Sequence, residues 1–386
     1  MSGRKVLIRE SEFVYFIAII VYLFAWIMCN SEFSEEYNFI LWRFVNYIVL
    51  PILLYKLYKD RKYYGYNLRV ILVILLALLA SYLAGGYTIF ITFLFILAMR
   101  NVDYRQCLKV YVLALMVCVG IVLVSCFVGL LPDIISRTAR GDRHGLGFIY
   151  TTFFPNYYIH ILLLLVILLK EDIKFWHIAI MAILNLLAYR FTYTKAVFYE
   201  VFLLLLCVTI IKVFRLDLHK KVFKWIAIFF IPIMAFTAIF CSYIYPGKTG
   251  VLLWMNQILS NRLYLGHTAI QRYGIHLLGQ NVVWNVGRGF DSQYAYFYVD
   301  SSFVNILLQY GGGVLVLVIV AYTWLFYKSY QYRVPYLYIA VLVLAIHSTW
   351  DPQLIDFKMN GMVLLLSGFF WCEKEAYHVK TIGSLK

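Results

Sequence analysis

The chain alternates between apolar runs and short polar segments along its whole length. Most runs approach the roughly 20 residues that a helix needs to cross about 30 Å of hydrocarbon. The pattern therefore predicts an all-α, polytopic membrane protein with about twelve spans. The predicted spans are residues 13–29, 39–55, 70–84, 87–99, 108–131, 152–169, 177–189, 196–214, 225–245, 301–327, 334–346 and 359–371.

Two pairs of these runs are short for a membrane crossing. One pair flanks Gly85 and Gly86, and the other flanks the polar stretch 190–195. Each pair is also compatible with a shallow hairpin that enters and leaves the membrane on one side. Both options leave the orientation of the later spans unchanged.

The composition agrees with a membrane location for the whole chain. Hydrophobic residues make up 63% of the 386 residues, charged residues only 14%, and the mean hydropathy is +0.80. A soluble domain of this size would have too little polar surface to cover such a sequence. We expect one integral membrane domain over residues 1–386, without a soluble catalytic domain, a nucleotide-binding loop or an internal repeat.

The positions of the basic residues predict the orientation of the spans. Most of the 34 Lys and Arg residues lie in the N-terminal arm, the C-terminal tail and every second loop. By the positive-inside rule both termini are cytoplasmic, and residues 132–151 and 246–300 form extracytoplasmic loops, the longer one before the tenth span. The first span lacks a cleavage site and is expected to be retained. The net charge of +15 then reflects topology and attraction to anionic lipid, so nucleic acid is not an expected partner.

Nothing in the sequence indicates a metal or a cofactor. The seven cysteines have no C-x-x-C spacing, and nearly all fall within apolar runs, as buried membrane thiols do. Paired Glu-x-x-His motifs and His-x-x-x-His spacings are missing. We expect metal-independent chemistry without a bound cofactor.

The predicted extracytoplasmic loops keep several basic residues against the topological bias, which invites a functional explanation. A guanidinium fork matches the paired oxygens of a diphosphate and keeps its proton. Clustered cations also stabilise a departing diphosphate. The candidate diphosphate ligands are therefore Arg143, Arg190, Lys195, Arg262, Arg272 and Arg288.

Asp300 stands at the end of the long loop, immediately before an apolar span. Its carboxylate can accept the proton of an attacking sugar hydroxyl if the two groups lie within hydrogen-bonding distance. Tyr294, Tyr296 and Tyr298 precede it and offer aromatic faces for sugar rings. A structural role is also compatible with the position, because an aspartate before Ser301 can cap the first turn of a helix.

Other candidates also have ordinary structural explanations. Residues 251–279 suit interfacial helices with solvated arginines, and Arg143 lies among glycines as a turn residue would. Residues 287–290, "GRGF", lack the third glycine of a dinucleotide fingerprint and are compatible with a simple turn. His347 with Asp351 either lines a cavity and orients substrate or belongs to a capped helix turn.

Three fragments carry a resemblance to a known family. In chain order they are "RHGLGFIYTTFFPNYY", then "TYTKAVF", then the stretch with Gly287, Gly289, Asp300 and the "YGG" of 310–312. In this order they resemble motifs of the Wzy family of O-antigen and capsular polysaccharide polymerases, in which a G-x-G precedes an Asp or His at the mouth of a helix. Lys195 stands where the family more often has Arg, which keeps the charge but loses the bidentate fork. Asp300 stands where the related O-antigen ligases have His, which favours the polymerase branch.

The resemblance implies a reaction at the outer face of the bacterial cytoplasmic membrane. A growing glycan on undecaprenyl diphosphate is transferred to the non-reducing sugar of a new lipid-linked repeat unit, so two such oligosaccharides meet in one cavity. The implied partners are these substrates, membrane lipid, a flippase and chain-length regulator proteins. Asp300 becomes the candidate base and Arg288 a second candidate catalytic residue. The cations become diphosphate ligands, with Arg143 and Lys195 on the donor and Arg262, Arg272 and Arg288 on either diphosphate.

Two other functions are compatible with the sequence. An O-antigen ligase-like glycosyltransferase would use the same kind of lipid-linked donor. A lipid-linked oligosaccharide flippase or other transporter would need a charged cavity that opens alternately to both faces. Against a transporter, the loop 246–300 is large for a gate, the two halves contain no matching broken helices, and the span centres are nearly free of charge apart from Arg43.

Overall fold

The computed structural model describes residues 9–63, 68–138, 141–215, 218–245, 250–286, 293 and 296–371. Most of these residues are helical, as expected where backbone N–H and C=O groups must be satisfied within each segment. The α-helices are α1 (Glu10–Cys29), α2 (Phe33–Glu36), α3 (Leu41–Lys59), α4 (Leu68–Leu83), α5 (Thr88–Ala98), α6 (Tyr104–Phe127), α7 (Phe153–Leu169), α8 (Phe175–Thr192), α9 (Lys195–Phe214), α10 (Lys221–Ile244), α11 (Val251–Ile258), α12 (Arg262–Tyr273), α13 (Ser302–Gln309), α14 (Gly311–Gln331), α15 (Pro335–His347) and α16 (Ser367–Trp371). Short 3-10 helices cover Asp60–Tyr63, Lys170–Asp172 and Gly361–Leu366, and strands β1 (Ile135–Thr138) and β2 (Gly141–His144) form an antiparallel hairpin.

Seven helices within the described residues are long and apolar enough to cross a membrane, which confirms the prediction of an all-α, polytopic membrane protein. They are Glu10–Cys29, Tyr104–Phe127, Phe153–Asp172, Phe175–Thr192, Lys195–Phe214, Lys221–Ile244 and Gly311–Gln331. Four shorter apolar helices follow the same pattern: Leu68–Leu83, Thr88–Ala98, Pro335–His347 and Gly361–Trp371. The count of twelve spans stays a prediction.

The two short pairs differ in the structure. Around 190–195, α8 and α9 have 18 and 20 residues, which corresponds to about 27 and 30 Å of helix. They are therefore long enough to cross as two separate spans. Around Gly85, α4 and α5 have only 16 and 11 residues, or about 24 and 16 Å.

The helix ends gather at two opposite ends of the molecule. At the first, which we call the loop end, Glu32 N donates to Gly147 O at 2.9 Å, so the end of α1 adjoins the loop that follows α6. At the second, the tail end, Arg9 Nη2 donates to Asn101 O at 2.8 Å, and Trp371 Nε1 donates to Leu97 O at 3.0 Å. The described residues of the loops 132–151 and 246–300 lie at the loop end. Which end faces the cytoplasm stays a prediction.

The predicted span 301–327 is broken into α13 and α14. Gly311 lies at the break with a φ of +88°, and a Cβ atom there would come 2.5 to 2.8 Å from backbone atoms of Leu277, Leu278 and Gly279. The loop segment is held against the break, because Gly312 N and Gly313 N donate at 2.9 Å to the carbonyls of His276 and Leu277. The break therefore seats the long loop directly on the transmembrane core.

Irregular backbone joins α15 to the 3-10 helix Gly361–Leu366. We call this connection, residues 348–360, the buried segment. The helix before it, α15, has 13 residues and is about 20 Å long. The ring of Phe357 lies 4.0 Å from that of Phe95, and the Phe357 carbonyl accepts a hydrogen bond from the Tyr111 hydroxyl at 2.6 Å. Irregular backbone at membrane depth is tolerated where protein or a wet cavity surrounds it.

Candidate functional site

Asp300 does not cap the helix that follows it. The helix α13 begins at Ser302, and Ser301 is its N-cap residue. The Asp300 carboxylate instead lies 3.5 Å from the Nε atom of Arg262, at the start of α12. The same guanidinium donates from Nε to Trp350 O at 2.8 Å and from Nη1 to Leu259 O at 3.3 Å. The structure thus brings together two of the residues predicted from sequence, which are 38 residues apart in the chain.

The surroundings of Asp300 make its carboxylate a stronger base than a free aspartate. Burial raises the pKa of Asp300 to about 6, against the lowering effect of Arg262 and with a further rise from the charge of Asp351. A quarter of the side chain is still exposed. The carboxylate is therefore desolvated yet reachable, and it is mostly ionised at neutral pH.

An aromatic wall stands beside this acid. Phe297 pairs with Asn285 through two backbone hydrogen bonds of 2.9 and 3.2 Å, which holds residues 296–299 against the preceding part of the loop. The rings of Trp284 and Tyr298 are 5.2 Å apart, and Tyr296 is exposed. Tyr294, the third tyrosine of the sequence prediction, lies outside the described residues.

A buried polar network lies behind Asp300 and Arg262. His347 is fully buried, with Nδ1 2.7 Å from Glu200 Oε2 and Nε2 2.8 Å from Gln353 Oε1. His160 Nε2 lies 3.1 Å from the same Gln353 oxygen. Both ring nitrogens of His347 are occupied, so in this arrangement the residue cannot contact a substrate directly. The sequence predicted that His347 binds the substrate. In the structure it contacts Glu200 and Gln353 instead, behind the Arg262–Asp300 pair.

The network reaches the Arg262–Asp300 pair through Trp350. The indole Nε1 of Trp350 donates to Glu200 Oε1, and the carbonyl of Trp350 accepts from Arg262. Asp351 lies on the other side, where Oδ1 accepts from Asn156 Nδ2 at 3.3 Å. Because unpaired polar groups are costly in an apolar core, these bonds hold the guanidinium in one position.

Three other predicted cations meet at the corner between α8 and α9. Arg143 on β2 donates from Nε to Thr192 O at 2.7 Å and from Nη2 to Thr194 Oγ1 at 3.4 Å, which satisfies a carbonyl at the end of α8. Lys195 begins α9 and is exposed, as is Arg190, whose Nη1 donates to the Tyr193 hydroxyl at 3.1 Å. Glu200 of the buried network is five residues further along α9, so this corner joins the network through one helix.

Arg272 is not part of either group. Arg272 is exposed at the far end of α12, with its guanidinium 5.5 Å from the rings of Tyr273 and Phe297. It is ten residues from Arg262, or about 15 Å along the helix. Arg288, with Gly287 and Gly289, lies outside the described residues. Among the described residues no group of three His, Cys, Asp or Glu side chains could hold a metal ion.

Sequence reasoning missed the acid that organises the network. Glu200 was placed inside the predicted span 196–214 without a role, although an acid within an apolar span is itself a sign of a functional or paired group. Its partners Trp350 and Gln353 carried no comparable signal, because tryptophan and glutamine near a helix end are common. Only the path of the chain brings them to Glu200.

No protein-family model, no curated protein and no solved structure matches this chain. The function is therefore argued from the residues and their arrangement.

Proposed function

We propose that this protein is a polysaccharide polymerase that transfers a growing glycan from undecaprenyl diphosphate to a new lipid-linked repeat unit. The observation that carries the proposal is Asp300, a desolvated but accessible carboxylate beside Arg262 at the mouth of the transmembrane bundle. A carboxylate in such a position suits a general base for a sugar hydroxyl. The proposal places the reaction at the outer face of the bacterial cytoplasmic membrane, with both termini in the cytoplasm.

The proposed reaction exchanges one bond to the anomeric carbon for another. The acceptor hydroxyl oxygen forms a bond to the anomeric carbon of the donor glycan, while its proton passes to the Asp300 carboxylate. The bond between that carbon and the diphosphate oxygen breaks, and its electron pair leaves on undecaprenyl diphosphate. Arg262 keeps the carboxylate ionised before the transfer, because a nearby cation favours the charged form.

The predicted cations have distinct parts in this scheme. Arg143, Arg190 and Lys195 form one basic corner at the loop end and are proposed ligands of the donor diphosphate, whose negative charge grows as it leaves. Arg272 and Arg288 are proposed ligands of the other diphosphate. His347 supports Arg262 through Glu200 and Trp350 rather than binding substrate.

One observation favours a second function, that of a lipid-linked oligosaccharide flippase. Glu200, His347 and Asp351 are ionisable, buried and adjacent to the break between α15 and the buried segment. Transporters commonly place charged groups at broken helices. A flippase would move lipid-linked oligosaccharide across a sealed bilayer without lengthening it, so the products separate the two functions.

Reconstitution tests the proposal directly. Purified protein in liposomes is given lipid-linked repeat units, without nucleotide sugar or an ion gradient, and the glycans are sized by gel electrophoresis. We expect chains to lengthen with wild-type protein and the rate to fall about 10²- to 10⁴-fold for Asp300→Asn, the usual contribution of a general base. Absence of elongation by the wild-type protein, under conditions where it binds the lipid-linked repeat units, would overturn the proposal. The same liposomes assayed for movement of the lipid between leaflets would then test the flippase.

A further inference from the structure

A second charged pair lies inside the protein, apart from the residues used above. Lys358, on the buried segment, has its Nζ atom 3.5 Å from Asp356 Oδ2. The same ammonium lies 4.5 Å from the ring centroid of Trp26 on α1. The side chains of Lys358 and Asp356 are 18% and 22% exposed. Both charged groups are therefore largely covered by protein yet still reachable from solvent, and we call the group that they form with Trp26 the recess.

The recess lies near the loop end. Trp26 is three residues, or about 4.5 Å, from the last residue of α1 at that end. The rings of Tyr22 and Trp42 are 6.2 and 6.0 Å from the Trp26 ring. The recess therefore has an apolar, aromatic side.

The buried segment that carries the recess packs against the start of α13. Leu354 N donates at 3.1 Å to the hydroxyl of Ser302, and that hydroxyl donates to the carbonyl of Asp351. Ser302 is two residues after Asp300, and Leu354 is two residues before Asp356, so the two acids lie on directly packed backbone. The charges of both acids raise the pKa of the partly exposed Tyr298, which agrees with this arrangement.

The chemistry of the recess selects among possible ligands. A diphosphate would be repelled by Asp356, which lies 3.5 Å from the one cation of the recess. A sugar ring presents hydroxyls that both donate and accept, together with apolar C–H faces. A carboxylate acceptor, an ammonium donor and aromatic surfaces match those groups together, as in other sites with few polar groups on an apolar lining.

We propose that Asp356, Lys358 and Trp26 form a sugar-binding subsite, which holds a sugar residue of the substrate next to the one that reacts at Asp300. The subsite rests on the proposed function for the source of that sugar. The subsite strengthens binding of the oligosaccharide and fixes which of its sugars lies at Asp300. The diphosphates bind to the basic residues proposed above. Asp356 and Lys358 are positioning residues in this scheme, since they do not contact the reacting atoms.

Binding without turnover tests the subsite. Full-length protein in nanodiscs is titrated with lipid-linked repeat units purified from the producing bacterium and, separately, with undecaprenyl diphosphate that carries no sugar. Affinity is followed by tryptophan fluorescence. We expect Asp356→Asn and Lys358→Met each to weaken binding of the sugar-bearing lipid about tenfold, the value of one polar contact of about 1.4 kcal/mol. Binding of the bare lipid should be unchanged.

A matched control is available at the tail end. Lys59 and Glu10 form an exposed ion pair with Nζ and Oε2 3.4 Å apart, and Lys59→Met should leave both affinities unchanged. Equal weakening of both lipids by Lys358→Met would assign the recess to the diphosphate and overturn the proposal, as would unchanged affinity for the sugar-bearing lipid. Thermal unfolding of each variant, and Lys358→Arg as a conservative replacement, separate lost binding from lost folding. Binding that follows this pattern in a protein that never elongates chains would refute the polymerase and keep the subsite.

Discussion

Asp300 differs from an ordinary surface aspartate in two ways that matter for chemistry. Its carboxylate is desolvated by the loop and the end of the bundle, and its nearby cation, Arg262, is itself fixed by two backbone carbonyls. A base held in this way needs no rearrangement before it accepts a proton. Residue-scale predictions concern this acid and the network that supports it.

The proposed base predicts how elongation depends on pH. The carboxylate must be ionised to accept a proton, and burial sets the pKa of Asp300 at about 6. The initial rate should therefore be nearly constant above pH 7 and fall about tenfold per pH unit below pH 6, as the carboxylate becomes protonated. Initial rates between pH 4.5 and 8 measure this. A rate that is flat through pH 5 would remove Asp300 as the base.

We expect a substitution at Glu200 to lower the stability of the fold strongly, although Glu200 is far from Arg262 in the sequence. Glu200→Gln removes the charge that faces His347 Nδ1 at 2.7 Å and weakens the contact with the Trp350 indole. Loss of one member of a buried pair commonly costs about 3 to 5 kcal/mol. Thermal unfolding in detergent should show a clear decrease in the midpoint.

The control for that change is Glu171→Gln. Glu171 is an exposed acid at the tail end whose carboxylate accepts from the Tyr336 hydroxyl at 3.2 Å. Exposed substitutions of this kind have small effects, so its unfolding midpoint should stay near that of the wild type. Equal midpoints for the two variants would show that the buried network does not stabilise the fold.

At the scale of elements, the broken helices build the site. The break at Gly311 lets residues 276–280 pack onto the start of α14, and the buried segment after α15 carries Trp350 and Asp351 to the Arg262–Asp300 pair. A straight helix satisfies all of its own backbone groups and leaves none for such contacts. Irregular backbone at these two places supplies the carbonyls and turns from which the site is made.

Gly311 tests the importance of the first break. Gly311→Ala should destabilise the protein by more than about 1 to 2 kcal/mol, the cost of a left-handed conformation for an L-residue, because the added Cβ also overlaps backbone of residues 277–279. Gly120→Ala in the middle of α6 is the control, since nothing lies within 4 Å of its added Cβ. That variant should be neutral or slightly stabilised. Unfolding midpoints of the two variants decide the matter, and equal midpoints would contradict the role of the break.

At the scale of the whole molecule, the charged and aromatic groups of the site lie at one end of the bundle. The loop end contains Asp300, Arg262, Arg143 and Lys195, whereas the tail end contains ion pairs such as Lys56–Asp60, with Nζ and Oδ2 2.7 Å apart. Substrates anchored in a bilayer by long lipids reach such a site from the membrane surface. The polarity of the molecule along its axis therefore fits chemistry on one side of a membrane.

The orientation of the molecule can be measured by labelling. In a variant without its native cysteines, Ser136→Cys places a thiol on β1 at the loop end and Lys220→Cys places one before α10 at the tail end; both positions are exposed. The positive-inside rule predicts that a membrane-impermeant maleimide labels the first in intact spheroplasts and the second only after permeabilisation. The reverse pattern would place the loop end in the cytoplasm and exclude the proposed reaction there.

The sequence by itself determined that this protein lies in a membrane and that its apolar segments are helical. Apolar runs near 20 residues are local features, and in hydrocarbon a backbone without water as a partner has little choice but to become helical. The sequence also marked Asp300 and several of the cations, because an ionisable group beside an apolar span is costly unless it is paired or used. These inferences needed no knowledge of which segments are neighbours.

Only the tertiary structure decided which of those groups act together. Glu200 and His347 are 147 residues apart in sequence and in hydrogen-bonding contact, and no local pattern signals that pairing. The break at Gly311 likewise depends on a distant loop that packs against it. The recess formed by Asp356, Lys358 and Trp26 joins the buried segment to α1. Such contacts are set by how the helices pack, and packing is a property of the whole chain rather than of any single segment.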